Sequence, residues 1–259
     1  MSKKVLVIGD LHCGSMSGLT PPQWIVSKGR NSFFSKLQEE MWEHYIETIN
    51  DFGKVDILVV NGDVIDGKGT RSGSTELLTS DMLEQTDIAI EALSQIKANK
   101  IFFTYGTPYH TASPTGEDFD KIVANAFKAP IHDELNLKVD GVLFNIKHKV
   151  GSSSSPYNRA ATIGKHRLWD ELQSIRHEDE KASVYLRSHV HYFSYCGESD
   201  WVGFTLPALQ SNQTKYGARQ CVGATDWGLC MFKVENNEFA GYDCRLFTLS
   251  SNKKRVIQL

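Results

Sequence analysis

The sequence predicts an α/β layered fold, and two observations carry that expectation. Short continuous apolar runs read as buried strands, and between them lie stretches whose apolar residues recur three and four apart. "KKVLVIGD" is the first strand. A helix is expected from about Ser32 to Asp51, where Phe33, Phe34, Leu37, Met41, Trp42, Tyr45, Ile46 and Ile49 share one face. "VDILVVNGD" is the second strand. Leu83, Ile88, Ile90, Leu93 and Ile96 suit a helix ending near "KANK", and "IFFTYG" is the third strand. "EDFDKIVANAF" reads as helical. "LNLKVDGVLFNIKHKV" has β-rich patterning with a turn at Asp140-Gly141. "GSSSSPYNR" is a loop, "RAATIGKHRLWDELQSI" an amphipathic helix, and the chain from Ala182 onward is mostly short strands and turns.

Composition narrows the class of protein. The 259 residues are 41% hydrophobic and 23% charged, ordinary for a soluble globular chain, and one domain over residues 1–259 is expected. A formal net charge of -3 argues against overall attraction to nucleic acid or an anionic membrane, although a local basic cleft is compatible with it. The apolar run after Lys3 and Lys4 is too short for a signal peptide or a membrane span, so no membrane partner is expected. Cys13, Cys196, Cys221, Cys230 and Cys244 lack CxxC spacing and are odd in number, which fits poorly with a disulfide framework. A reducing, cytoplasmic location is expected.

The polar residues fall at strand ends. Asp10 and His12 follow the first strand and Asp63 the second. Gly106 and His110 follow the third, His148 closes "VLFNIKH", and His189 and His191 follow "ASVYLRS". In open α/β sheets that edge is where ligands bind. Singly, an Asp after a strand is usually a turn or cap residue and a lone His a hydrogen-bonded one. Five strand ends carrying such residues point instead to a shared centre. Imidazole and carboxylate together suit zinc, manganese or iron, whereas calcium favours oxygen alone. A carboxylate has about four lone-pair sites, so one Asp can serve two cations. His189 and His191, two apart, would project to one face of an extended segment. Cys13 would point away from His12 and is expected to be a packed thiol.

In order and context, "GDLH", "NGD", "GTPYH", "KH" and "SHVH" resemble the motifs of calcineurin-like metallophosphoesterases, over residues 5 to about 193. The resemblance implies a four-layer αββα sandwich with a two-metal site, the ions being manganese, iron or zinc. By motif, one ion would be held by Asp10, His12, Asp63 and His191. The other would share Asp63 and add His148 and His189. The third motif departs from the family, where it is usually Gly-Asn-His with the Asn as a metal ligand; here it is Gly106-Thr107-Pro108-Tyr109-His110. Thr107, water or His110 would fill that place. Ser188 stands where the last motif usually has Gly. The variant third motif and "NGDVIDGKGT" bear a weaker resemblance to phage- or prophage-encoded members, which would place the protein in a host cytoplasm.

What the resemblance implies for function is two-metal hydrolysis of a phosphoester by a metal-bridging hydroxide. The expected substrate is a phosphodiester or nucleotide, either a small molecule or a nucleic acid. Two divalent cations less the charges of Asp10 and Asp63 leave about +2 to attract an anion. His110 is the candidate for steadying the phosphate or protonating the leaving oxygen. Asn61 and Asp66 are near enough in sequence to orient ligand imidazoles, though turn positions are the plainer reading of both. Tyr157 and Arg159 lie in the loop after His148, and Gln210, Thr214, Lys215, Tyr216 and Arg219 in "LPALQSNQTKYGARQ". These offer polar groups to a substrate, with ordinary loop roles the commoner case. The alternative reading is a protein of this fold that binds or scaffolds without turnover, because the third motif lacks its Asn.

Overall fold

The computed structural model of the protein describes residues 2–27, 33–70, 73–113, 115–153, 155–212 and 224–250. Among these, the chain opens β1 (Lys3–Ile8), α1 (Pro22–Ser27), α2 (Phe33–Phe52), β2 (Val55–Asn61), α3 (Met82–Ser94) and β3 (Ala98–Thr104). It continues α4 (Pro108–Thr111), α5 (Phe119–Ala126), β4 (Ile131–His132), β5 (Leu135–Val139), β6 (Val142–Lys147), α6 (Ala161–His177) and β7 (Val184–Arg187). It closes with β8 (Ser194–Gly197), β9 (Val202–Thr205), β10 (Trp227–Glu235) and β11 (Glu238–Phe247).

The strands form two sheets, ordered β11-β10-β1-β2-β3-β4 and β5-β6-β7-β9-β8. Strand alternation explains why β1 and β2 are apolar throughout. Val5, Val7, Ile57 and Val59 point between the sheets, where they meet Phe144, Ile146, Leu186 and Phe204. Leu6, Ile8, Leu58 and Val60 point the other way and join Leu37, Met41 and Tyr45 of α2 and Ile88 and Leu93 of α3. A third, smaller core sets Ile163 of α6 against Tyr185 and Trp201. Three cores separate four layers, helix, sheet, sheet and helix, as the resemblance implied.

Several local expectations are corrected. Leu83 is exposed, and the buried face of α3 is filled partly by Ala89 and Ala92, small residues that a search for large apolar side chains passes over. Helix α6 buries Ile163, while Leu168, Trp169, Leu172 and Ile175 face outward. The sheet beneath offers it polar groups: the Tyr185 hydroxyl donates to Asp170 at 2.7 Å, and Arg187 Nε donates to His166 Nδ1 at 3.1 Å. These bonds turn the polar side of α6 inward. The C-terminal part is not all short strands, since β10 and β11 form a long hairpin turning at Asn236 and Asn237, both at positive φ as a type I′ turn requires. That hairpin opposes Cys230 to Cys244 in register and the structure joins them as a disulfide, where sequence spacing had suggested unpaired thiols. Cys13 is a buried free thiol, as expected. No helix among the described residues is long and apolar enough to cross a membrane.

Candidate metal centre

The parallel strands β1, β2 and β3 of one sheet and β6 and β7 of the other end beside the same cleft. Their end loops are stitched together by main-chain bonds. Asp10 N–H donates to Gly62 O, His12 N–H to Asp63 O, and Ser188 N–H to His148 O. Leu209 N–H and Asp226 N–H tie the downstream loops to Asp10 O and His191 O. Asn61 reaches across from β2, its Nδ2 donating to Ser188 Oγ at 2.7 Å while its Oδ1 accepts from Thr104 Oγ1 at 2.6 Å. Ser188, at the place where glycine was the expectation, is therefore a used hydroxyl.

The backbone at these loops is unusual. Asp10, His12, Asp63, His189 and His191 all have positive φ, between +46° and +75°. A left-handed conformation costs a non-glycine residue about 1–2 kcal/mol, and it persists only where surrounding structure imposes it. The expectation that His189 and His191 share one face of an extended segment is thus corrected. Both residues sit in left-handed turns, and His191 groups with Asp10 and His12 while His189 groups with Asp63 and His148. The turn at Gly62 (φ +73°) admits no side chain, since a Cβ there would lie 2.6 Å from Gly106 Cα and 2.7 Å from His148 Nδ1.

Three groups of potential ligands result among the described residues, each with its ligand atoms no more than 4.8 Å apart. Two are the triads Asp10, His12 and His191, and Asp63, His148 and His189; the third shares His12 and adds Asp66 and His110. Asp10 Oδ1 lies 3.2 Å from His191 Nε2, 3.8 Å from His12 Nε2 and 3.9 Å from His148 Nε2. Asp63 Oδ2 lies 3.1 Å from His148 Nε2, near enough for an ion pair but not aligned for a hydrogen bond. Donors held about 2.1 Å from a common ion at tetrahedral or square angles stand roughly 3.0–3.5 Å apart, so the Asp10–His191 and Asp63–His148 spacings suit a cation between them, and the two longer ones lie a few tenths of an ångström beyond that range.

The unused atoms point the same way. Asp10 Oδ1, His12 Nε2 and His148 Nε2 are buried without a hydrogen-bond partner. The other end of each group is satisfied. Asp10 Oδ2 accepts from His189 N–H at 2.9 Å, His12 Nδ1 pairs with Asp66 Oδ1 at 3.0 Å, and His148 Nδ1 donates to Asn61 O at 2.7 Å. Buried polar atoms are normally paired, so three that converge in one place fit a ligand set whose cation supplies the missing partner.

Electrostatics agrees with that donor set. Burial opposes charge on His12, but Asp10 and Asp66 outweigh it and raise its pKa to about 10. Burial also opposes charge on His148, which Asp63 and Asp10 raise to about 9. Burial alone would push the carboxyls of Asp10 and Asp63 up, yet the neighbouring imidazoles hold both well below the usual carboxylate range. His189 goes the other way, lowered by burial to about 4 and only partly offset by Asp10.

His110 stands with His12 and Asp66 rather than with the Asp63 triad. Its Nδ1 donates to the Asp66 carbonyl at 2.9 Å, and its ring meets the His12 ring edge-on at 4.5 Å. Burial, then the His12 charge, lower its pKa. Asp66 and the Asn61 carbonyl, plainer as turn groups in the sequence, are the hydrogen-bond partners of the His12 and His148 imidazoles. Gln210 also reaches Asp66 Oδ1, at 3.3 Å. Arg159 donates to Ala224 O at 3.1 Å with its guanidinium 4.4 Å from the centre of the Tyr192 ring, and Tyr157 is exposed. Thr214, Lys215, Tyr216 and Arg219 lie outside the described residues.

Sequence reasoning missed Asp120. This buried carboxyl on α5 accepts from Val64 N–H at 3.1 Å and from Gly106 N–H at 2.7 Å, clamping the second and third motif loops together. Burial, then the charge of Asp63, push its pKa up to about 7. No motif marks it; an acidic residue amid the apolar positions of "FDKIVANA" is its only trace.

Residues 3–106 match the family model for calcineurin-like phosphoesterases. No curated protein matches the chain. Among solved structures, the chain is similar to an archaeal phosphodiesterase at 13% identity, over 94% of this chain and 99% of that one, with a TM-score of 0.46. It is similar to Vps29 of Entamoeba histolytica in complex with Zn²⁺ at 11% identity, over 94% and 98%, with a TM-score of 0.44. Vps29 of Chaetomium thermophilum is 10% identical over 99% and 97%, with a TM-score of 0.43. The family match takes in Asp10, His12 and Asp63 and runs to Gly106, so over residues 3–106 the chain is similar to the calcineurin-like phosphoesterases.

Proposed function

We propose that the protein is a two-metal phosphoesterase acting on a phosphodiester or nucleotide, with residues 1–259 working as one catalytic domain. The observation that carries this reading is the convergence of three buried, unpartnered ligand atoms, Asp10 Oδ1, His12 Nε2 and His148 Nε2. One ion would be held by Asp10, His12, Asp63 and His191, the other by Asp63, His148 and His189. Manganese, iron or zinc suits this mixture of imidazole and carboxylate. Such ions, when bound, activate water and absorb the charge that builds on a phosphoryl group under in-line attack.

The chain's own residues do the rest. Asp66 and the Asn61 carbonyl hold the Nδ1 atoms of His12 and His148, which leaves each Nε2 facing inward. The Asp66 carbonyl does the same for His110. Because a carbonyl only accepts, His110 carries its proton on Nδ1 when neutral and offers Nε2 as a lone pair. An incoming phosphate anion favours the imidazolium, and His110 would then donate from Nε2 to a phosphate or leaving oxygen.

The test begins with chelated protein to which Mn²⁺ is returned. Hydrolysis of bis-p-nitrophenyl phosphate above p-nitrophenyl phosphate is expected, and its loss in Asp63→Asn and His189→Ala. A folded protein that binds two ions and turns over neither these esters nor oligonucleotides overturns the catalytic reading in favour of a binding or scaffold role.

A further inference from the structure

Thr107 stands where the resemblance led us to expect an asparagine ligand, and its side chain is committed elsewhere. It is the N-cap residue of α4, yet its hydroxyl makes no capping bond. A capping Thr ordinarily bonds a free N–H of the first turn. Here the hydroxyl lies 2.8 Å from Asp63 Oδ2 and 2.9 Å from Oδ1, and the Thr107 main-chain N–H donates to Oδ1 at 2.6 Å. Thr107 is itself buried, so the contact is shielded from water.

Lone pairs explain what this does. A carboxylate has about four acceptor sites, two on each oxygen. The Thr107 N–H takes one on Oδ1, and its hydroxyl, donating at its shorter distance, takes one on Oδ2. One site on each oxygen remains, which is what a carboxylate shared between two cations needs. Two donors from a single residue also fix the carboxylate plane, because rotation about the Cβ–Cγ bond would break both bonds together. Gly106 allows this approach, since a Cβ there would fall on the Asp63 carboxylate.

We propose that Thr107 is a positioning residue for metal binding: its hydroxyl and amide clamp Asp63 in the orientation that serves both ions, in place of an amide ligand. This rests on the reading of the centre as a two-metal site. Loss of such an outer hydrogen-bond partner typically weakens metal affinity about 10–100-fold.

The experiment is a Mn²⁺ titration of the full chain by competition with a chromogenic chelator, with circular dichroism as the control for folding. In Thr107→Val the shape is kept and the hydroxyl lost, and Mn²⁺ affinity should fall by about 10–100-fold. Thr107→Ala serves the same purpose if the valine variant does not fold. Thr107→Ser, which keeps the hydroxyl, should bind as the unaltered protein does. Unchanged affinity in the valine or alanine variant overturns the clamp and leaves the metal reading standing. Serine as weak as valine also overturns it, because the methyl rather than the hydroxyl would then matter. If the unaltered protein takes up no Mn²⁺, Zn²⁺ or Fe²⁺, the metal reading fails first and the clamp with it.

Discussion

The two triads use similar side chains but are supported differently. Behind His12 stands the carboxylate of Asp66, whereas behind His148 stands the neutral carbonyl of Asn61. A carboxylate makes its imidazole more basic and a better donor than a carbonyl does. Asp63, in contrast, is held by Thr107 and Asp10 by the His189 N–H. The first triad therefore leans on an ionic partner and the second on neutral groups. On the proposed two-metal reading, similar side chains do not bring similar binding, and the two positions should differ in affinity and in sensitivity to pH.

The comparison can be broken most forcefully at Asp63, which the proposal gives to both ions. Asp63→Asn should abolish binding at both positions together. Removing one charge from a buried set costs about 3–5 kcal/mol, or roughly 10²- to 10⁴-fold in a rate or binding constant. Isothermal titration with Mn²⁺ checks this, and one full-affinity site surviving in the variant would show that Asp63 is not shared.

Next in size is the pH dependence of stability in chelated protein. His12 and His148 are raised from the usual 6.5 to about 10 and about 9. Between pH 6.5 and 9 the folded state therefore holds more protons than the unfolded chain. The stability these groups contribute is complete below pH 6.5 and is lost as pH climbs through 9 to 10. The slope is about 1.4 kcal/mol per pH unit for each proton retained. Urea denaturation at stepped pH measures it. Added Mn²⁺ should flatten the profile, because coordination takes the place of the protons; a profile equally steep with and without metal would contradict the ligand assignment of both histidines.

The smallest effect should fall on one side alone. Asp66→Asn replaces the carboxylate behind His12 with an amide and should weaken one ion about 10–100-fold, leaving the other near its original affinity. Equal weakening of both would mean that the difference in support does not matter.

Much of the site was legible because its chemistry sits in short motifs. The strand-end positions of Asp10, His12, Asp63, His148, His189 and His191 follow from apolar runs that end abruptly in polar residues. The continuous apolar runs of β1 and β2 likewise foretold strands buried on both faces. Asp120 was not legible, because its partners Val64 and Gly106 are 56 and 14 residues away and nothing in an amphipathic helix announces such a bond. Nor was the inward polar side of α6, which depends on Tyr185 and Arg187 standing beneath it. The Cys230–Cys244 pairing escaped notice because it depends on hairpin register, which cysteine spacing does not report.

By itself, then, the sequence determined the class of fold, the strand ends and the kinds of atom gathered there, since hydrophobic period and side-chain chemistry are local properties. Only the tertiary structure decided which atoms face one another. His189 N–H meets Asp10 across 179 residues and His148 meets Asn61 across 87. The left-handed backbone at His189 is tied to Asp10 by such a distant bond, and a backbone conformation disfavoured locally is adopted only where the packed whole outweighs its cost.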